Sequence, residues 1–144
     1  MKPISVLNPI SLSNIKLISF DADGVMVEKG TEILEKDRVL TVKTKKISQS
    51  LLKKLNKLKK SFHINISSGR SLLYLKEIFG PLLWEKASLQ GENGVFTLID
   101  GQVIQYSKLT FEELERLRKI RGEIEKVAEN SKNIRGFEPK QFLI

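Results

Sequence analysis

The amino-acid sequence predicts an α/β fold: a parallel sheet with flanking helices, extended by a β-hairpin. Three observations carry that expectation. In the first half, short β-rich runs alternate with helical periodicity, and the first two such runs each end in a polar, glycine-containing loop. The order strand, helix, strand, helix argues for parallel pairing through right-handed crossovers. In the second half, Asp100-Gly101 joins two β-rich runs. Asp-Gly in that setting signals a tight hairpin, because both turn residues must reach positive φ.

The elements follow in order. Residues 15–20 are an apolar run that reads as a buried strand ending at an acidic loop. Residues 21–45 are mixed, with Thr31, Ile33, Val39, Thr41, Val42 and Thr44, and suggest a small hairpin or flap. Leu51, Leu52, Leu55 and Leu58 then alternate with Lys53, Lys54, Lys57, Lys59 and Lys60. That spacing is an amphipathic helix, capped by Ser48 or Ser50 and ending near Ser61. Residues 62–66 alternate as a strand. Ser71 caps a second helix over 72–79, stopped by Gly80 and Pro81.

A short strand at Ala87-Ser88-Leu89 precedes Gly91-Glu92-Asn93-Gly94 and the hairpin runs 95–99 and 102–106. Thr110 with Glu113 makes a capping box that opens a long helix. Leu114, Leu117, Ile120, Ile124 and Val127 form its apolar face. The segment 130–144, with Gly136 and Pro139, closes on Phe142-Leu143-Ile144 and reads as an interrupted element.

Composition limits the function. With 144 residues, the chain can bury a core as one domain. Its 40% hydrophobic and 29% charged content is that of a globular protein. The absence of cysteine excludes disulfides and thiolate metal sites. Residues 1–13 lack the charge and apolarity of a secretory signal, and no apolar run reaches the roughly 18–20 residues that cross a bilayer. The expectation is a cytoplasmic protein with no membrane association. A net charge of +8 raises the question of nucleic acid. Much of that excess, however, falls on the solvated face of the Leu/Lys helix, where it needs no ligand and serves at most to attract anions.

The sharpest chemical signal is Phe20-Asp21-Ala22-Asp23-Gly24-Val25, directly after the first strand. Ligands of open parallel sheets bind beyond the carboxyl ends of strands. Two carboxylates one residue apart leave a strand end in different directions, and Gly24 lets the backbone turn with its amides exposed to an anion. Two acids alone repel a phosphate, so the arrangement calls for a divalent cation with oxygen ligands, naturally Mg²⁺. Taken alone, the segment reads equally well as an acidic surface turn. The strand 62–66 ends in Ser67-Ser68-Gly69-Arg70, where a neighbouring parallel strand delivers its tip. A hydroxyl, an open glycine and a guanidinium suit phosphate, although a plain Ser-Gly turn with a helix cap accounts for them too.

Together these two segments resemble the first and second motifs of the haloacid dehalogenase (HAD) superfamily of phosphohydrolases. Gly91-Glu92-Asn93-Gly94 followed by a hairpin is similar to the branch with a large α/β cap after the second motif. That branch holds Cof-like proteins, phosphoglycolate phosphatases and phosphomannomutase. The resemblance covers residues 15–106. It implies a Rossmann-like, HAD-like core over 15–108 after an N-terminal segment 1–14, with 109–144 as a helix and the start of a cap.

It further implies that Asp21 is the nucleophile and forms an aspartyl-phosphate, while Asp23 protonates the leaving oxygen and then activates water. Ser68, Gly69 and Gly24 would bind phosphate, and Arg70 and Asn93 would bind substrate or orient it and neighbouring loops. Mg²⁺ would lie between the Asp21 carboxylate and the Asp23 carbonyl. The substrate class is a small phosphorylated metabolite, a sugar phosphate among the options.

No Gly-Asp or Asp-Asp pair of the family's late acidic motif follows residue 94, and nothing marks Lys108 or Lys140 as the family's catalytic lysine. The expectation is therefore an N-terminal portion, completed by a missing C-terminal part or by a second chain; a degenerate domain is the third option. Two rival functions stand beside this one. The first is a non-catalytic module whose basic helix holds nucleic acid or an acidic partner. The second is an oligomeric small-cap phosphatase or a phosphomutase. His63 in its alternating strand reads as an outward polar residue, and Trp84 as a core or domain-contact residue.

Overall fold

The computed structural model describes residues 13–28, 32–36, 39–132 and 140, with backbone alone for 32–36 and 39–42. The N-terminal segment and most of the apolar end expected to be interrupted lie outside the described residues. In chain order the strands are β1 (Leu17–Asp21), β2 (Glu32–Lys36), β3 (Val39–Lys43), β4 (His63–Ser67), β5 (Ala87–Gly91), β6 (Phe96–Ile99) and β7 (Gln102–Gln105). The helices are α1 (Gln49–Lys59), α2 (Leu72–Phe79) and α3 (Phe111–Glu129).

Strands β1, β4 and β5 pair in parallel, then β6 and β7 add antiparallel, giving the order β1-β4-β5-β6-β7. Strands β2 and β3 form the separate antiparallel pair expected between residues 21 and 45. The Asp100-Gly101 turn takes positive φ at both positions, 47° and 79°, as a two-residue hairpin demands.

Strand alternation decides where the core lies. Ile18 and Phe20 of β1, Ile64 and Ile66 of β4, and Ala87 and Leu89 of β5 share one face of the sheet through the strand register. Leu55 of α1 and Leu75, Ile78 and Phe79 of α2 pack on that same face. Each buried Leu, Ile or Phe contributes about 1.5–3 kcal/mol. Ser48 caps α1 through the Leu51 N–H, and Ser71 caps α2 through the Tyr74 N–H. In α1 the lysines face solvent except Lys59, whose ammonium bridges the carbonyls of Leu82 and Trp84.

The opposite face of the sheet is polar. Asn65 Nδ2 donates to Ser19 Oγ, and Ser88 Oγ donates to Asn65 Oδ1, both at 2.9 Å. Ser88 has spent its one proton, so its 2.9 Å contact with His63 Nε2 needs the proton on the imidazole. His63 thereby belongs to a hydrogen-bonded polar seam.

Two apolar features lie more open than a core position would. The apolar face of α3 is not buried among the described residues: Leu114, Ile120 and Val127 remain exposed, and Ala128 alone is buried. The helix follows β7, an edge strand exposed along its whole length, so little sheet surface lies beneath it. Trp84 is 44% exposed, which removes the core reading and leaves the domain-contact one; its backbone carbonyl accepts from the Lys59 ammonium.

The start of α3 carries the capping box foreseen from Thr110 and Glu113. Hydrogen bonds from the Thr110 N–H and hydroxyl hold the Glu113 carboxyl below its ordinary range. A carboxyl depressed on folding stabilises above its unfolded value and loses that contribution as pH falls through the folded one. Helicity measured by circular dichroism should therefore decline on acidification below the ordinary glutamate range, and Thr110→Ala should flatten that decline. No helix among the described residues is long and apolar enough to cross a membrane.

Candidate active site

Asp21 is the last residue of β1 and stands in register with Ser67, the last of β4, so the two sequence motifs emerge side by side from adjacent parallel strands. Beyond Asp21 the chain turns sharply. The Ala22 carbonyl accepts the Met26 and Val27 amides at 3.0 Å each, and the Gly24 N–H donates to the Val27 carbonyl at 2.7 Å. Ala22, Met26 and Val27 are buried and anchor this turn, while Gly24 sits at φ 78°, where a side chain would be strained.

That turn sends the two acids different ways. Asp21 is exposed, and its Oδ1 accepts the Ala22 N–H at 2.8 Å. Asp23 is turned aside and held. Arg70 Nε donates to Asp23 Oδ2 at 3.1 Å, Arg70 Nη2 to Oδ1 at 3.4 Å, and the Tyr74 hydroxyl to Oδ1 at 3.1 Å. The Asp23 and Arg70 side chains are only 22% and 26% exposed, so this pair is far less screened than a surface ion pair.

The second motif is built from backbone contacts. Ser68 is buried; its N–H donates to the Gln90 carbonyl, and its Oγ accepts the Arg70 N–H at 3.2 Å. The Gly91–Gly94 loop braces it from behind. Asn93 N–H donates to the Ser68 carbonyl at 3.1 Å, and Glu92 N–H to the Arg70 carbonyl at 2.8 Å. Glu92 and Asn93 both adopt positive φ to make these contacts. A Cβ on Gly69 would come within 3.1 Å of Asn93 Oδ1, so the loop side chain closes directly over that glycine.

The structure thus brings Asp21, Asp23, Gly24, Ser68, Gly69, Arg70 and Asn93 to one end of the sheet. It gives Arg70 and Asn93 structural engagements, on Asp23 and against Gly69, and it corrects the expectation for Gly24, whose N–H is spent on the Val27 carbonyl instead of facing an anion. Sequence reading missed Tyr74, which shares Asp23 with Arg70, and Thr44, whose hydroxyl donates to the Tyr74 oxygen at 3.3 Å. The available hint was spacing: Tyr74 follows Arg70 by four residues at the start of a helix.

For a metal, Asp21 offers an exposed carboxylate. The turn uses the Ala22 and Val27 carbonyls but not that of Asp23. One carboxylate with one carbonyl suits an ion that keeps several waters, as Mg²⁺ does. Among the described residues no cluster of three or more acids, histidines or cysteines forms a closed metal shell.

A model of the haloacid dehalogenase-like hydrolase family matches residues 18–134. The chain belongs to that family. This haloacid dehalogenase-like chain also shares its fold with solved structures. A trehalose-6-phosphate phosphatase related protein aligns over 86% of this chain and 48% of its own, at 20% identity and a TM-score of 0.53. The IMP-bound IMP-nucleotidase of Plasmodium falciparum aligns over 92% of this chain and 40% of its own, at 14% identity and a TM-score of 0.53. A trehalose-6-phosphate phosphatase of Aspergillus fumigatus aligns over 89% and 43%, at 19% identity and a TM-score of 0.50. No curated protein matches the sequence. The chain spans less than half the length of the solved structures it matches.

Proposed function

We propose that this chain is the nucleophile-bearing part of a Mg²⁺-dependent phosphate-ester hydrolase acting through an aspartyl-phosphate. One observation carries the reading. An exposed Asp21 and the Ser68-Gly69 backbone turn leave adjacent parallel strands together, while Asp23 is held to one side by Arg70. A phosphoryl group between those strand ends faces one carboxylate in line, with hydroxyl and amide donors beside it.

In the first step an Asp21 oxygen attacks phosphorus, the ester P–O bond breaks, and Asp23 supplies the proton that the departing oxygen takes. In the second, Asp23 takes a proton from water, whose oxygen attacks phosphorus. The Asp21–phosphate bond then breaks, releasing inorganic phosphate. The Asp21 carboxylate and the Asp23 carbonyl would hold Mg²⁺, whose charge would offset repulsion between phosphate and acids. Ser68 and Gly69 hold phosphoryl oxygens, Gly24 shapes the loop, and Asn93 orients the second motif.

The substrate is a small phosphorylated metabolite, a sugar phosphate being the class named for the Aspergillus fumigatus trehalose-6-phosphate phosphatase of similar fold. The catalytic lysine and remaining acid come from further polypeptide, in the same chain or another. The open edge of β1 is the natural docking line, since Ile15 and Leu17 are exposed there and no described strand pairs along it. On this view residues 15–108 are the first part of the core, and 109–144 lead into a cap. The protein works in the cytoplasm.

Hydrolysis of an aryl phosphate by this chain joined by the polypeptide that completes the site, with Mg²⁺ and with excess EDTA, tests the reading. Turnover should appear with the metal and vanish on chelation, returning when Mg²⁺ is restored. Equal rates in both conditions would overturn it.

A further inference from the structure

We infer that Tyr74 is the positioning residue for Asp23, fixing the carboxylate so that it serves the leaving oxygen; this rests on the phosphatase reading above. Arg70 alone is a poor clamp. Its long side chain has many torsions to fix, and its second contact with Asp23 is stretched to 3.4 Å. Tyr74 corrects both weaknesses at once. Its hydroxyl donates to the same Asp23 Oδ1 at 3.1 Å, and its ring lies under the guanidinium with Arg70 Cζ 4.6 Å from the ring centroid.

The ring itself is immobile. Tyr74 is 7% exposed and sits in the first turn of α2 beside the buried Leu75 and Ile78, with only two side-chain torsions to fix. The proton count is consistent. The phenol spends its single proton on Asp23 and accepts one from Thr44 Oγ1 at 3.3 Å, which ties the segment leaving β3 to the same cluster. Asp23 is therefore held from two directions by groups anchored on a core helix. Both donors come from α2 and the residues that lead into it, so the orientation of Asp23 follows that helix.

The expected consequence is selective. A nitrophenolate leaves phosphorus without needing a proton, whereas an alkoxide does not. Loss of a well-aimed proton donor therefore slows alkyl esters far more than activated aryl esters. Removing only the hydroxyl, Tyr74→Phe should lower kcat/KM for an alkyl phosphate about ten- to a hundredfold. The value for p-nitrophenyl phosphate should fall less than about threefold, with the protein still folded at the assay temperature although the lost hydrogen bond to a charged group lowers its melting point.

The assay uses the Mg²⁺-loaded protein, its site completed by the further polypeptide, and both esters. Wild type inactive on both would sink the phosphatase reading and this proposal with it. Active wild type with an equal loss on both esters in Tyr74→Phe, or with no loss, would overturn this proposal alone. If Tyr74→Phe is not folded at the assay temperature, Thr44→Val keeps the ring and removes only its outer hydrogen bond. It should then give the same selective loss at smaller scale, and an unchanged alkyl-to-aryl ratio there would overturn the proposal.

Discussion

Asp21→Asn should lose Mg²⁺-dependent hydrolysis by roughly 10⁴–10⁶-fold, the scale seen when a covalent nucleophile is removed. An amide nitrogen or oxygen cannot form the acyl phosphate, and the variant also loses the carboxylate offered to the metal. Its fold should be intact. Asp21 is exposed and its one backbone contact, accepted from the Ala22 N–H, is available equally to an asparagine oxygen. Asp23→Asn should differ in kind. With Asp21 in place and a good leaving group, the first step proceeds while the second lacks its base. Labelled phosphate should then accumulate on the protein although turnover falls about 10²–10⁴-fold. Trapping with radiolabelled substrate and acid quench reads both. Label absent from Asp21→Asn but present on Asp23→Asn assigns the two roles; the opposite pattern would exchange them. Asp23→Asn should also melt lower, because Arg70 loses an ionised partner in a partly buried position, a contact worth about 1.5–3 kcal/mol.

The position of Asp21 was legible in sequence because it depends on local signals: an apolar run, two acids and a glycine. The bounds of α2 were legible for the same reason, with Ser71 as cap and Gly80-Pro81 as stop. The engagement of Asp23 was not. Its partners lie 47 and 51 residues away, and only the parallel pairing of β1 with β4 brings Arg70 and Tyr74 to it. A guanidinium beside a serine-glycine turn reads as a phosphate ligand until a nearer carboxylate is known. The apolar stripe on α3 shows the limit of periodicity: 3.6-residue spacing says that a face wants cover and says nothing of what covers it.

Gly91→Ala should destabilise the protein by about 1–3 kcal/mol or more, and cost activity beyond what lost stability explains. The reason is distance rather than backbone conformation. Gly91 has φ −103° and ψ 164°, which any residue adopts. A Cβ there, however, would lie 2.9 Å from the Leu72 nitrogen, 3.0 Å from the Arg70 carbonyl oxygen and 3.2 Å from Leu72 Cδ2. Two of those atoms are backbone and cannot swing aside. The Arg70 carbonyl already accepts the Glu92 N–H, so relief of the clash must break that bond or shift the segment entering α2. Either movement carries Arg70 and Tyr74 with it, and therefore Asp23. Gly80→Ala is the matched control: it has helical φ and ψ and nothing within 4 Å of its Cβ. There the loss of unfolded-chain entropy should stabilise by about 0.4–1 kcal/mol. Denaturant melts of the two variants, with kcat measured well below their midpoints, separate the effects. A Gly91→Ala protein that melts lower but keeps full kcat would mean that the loop yields without moving α2.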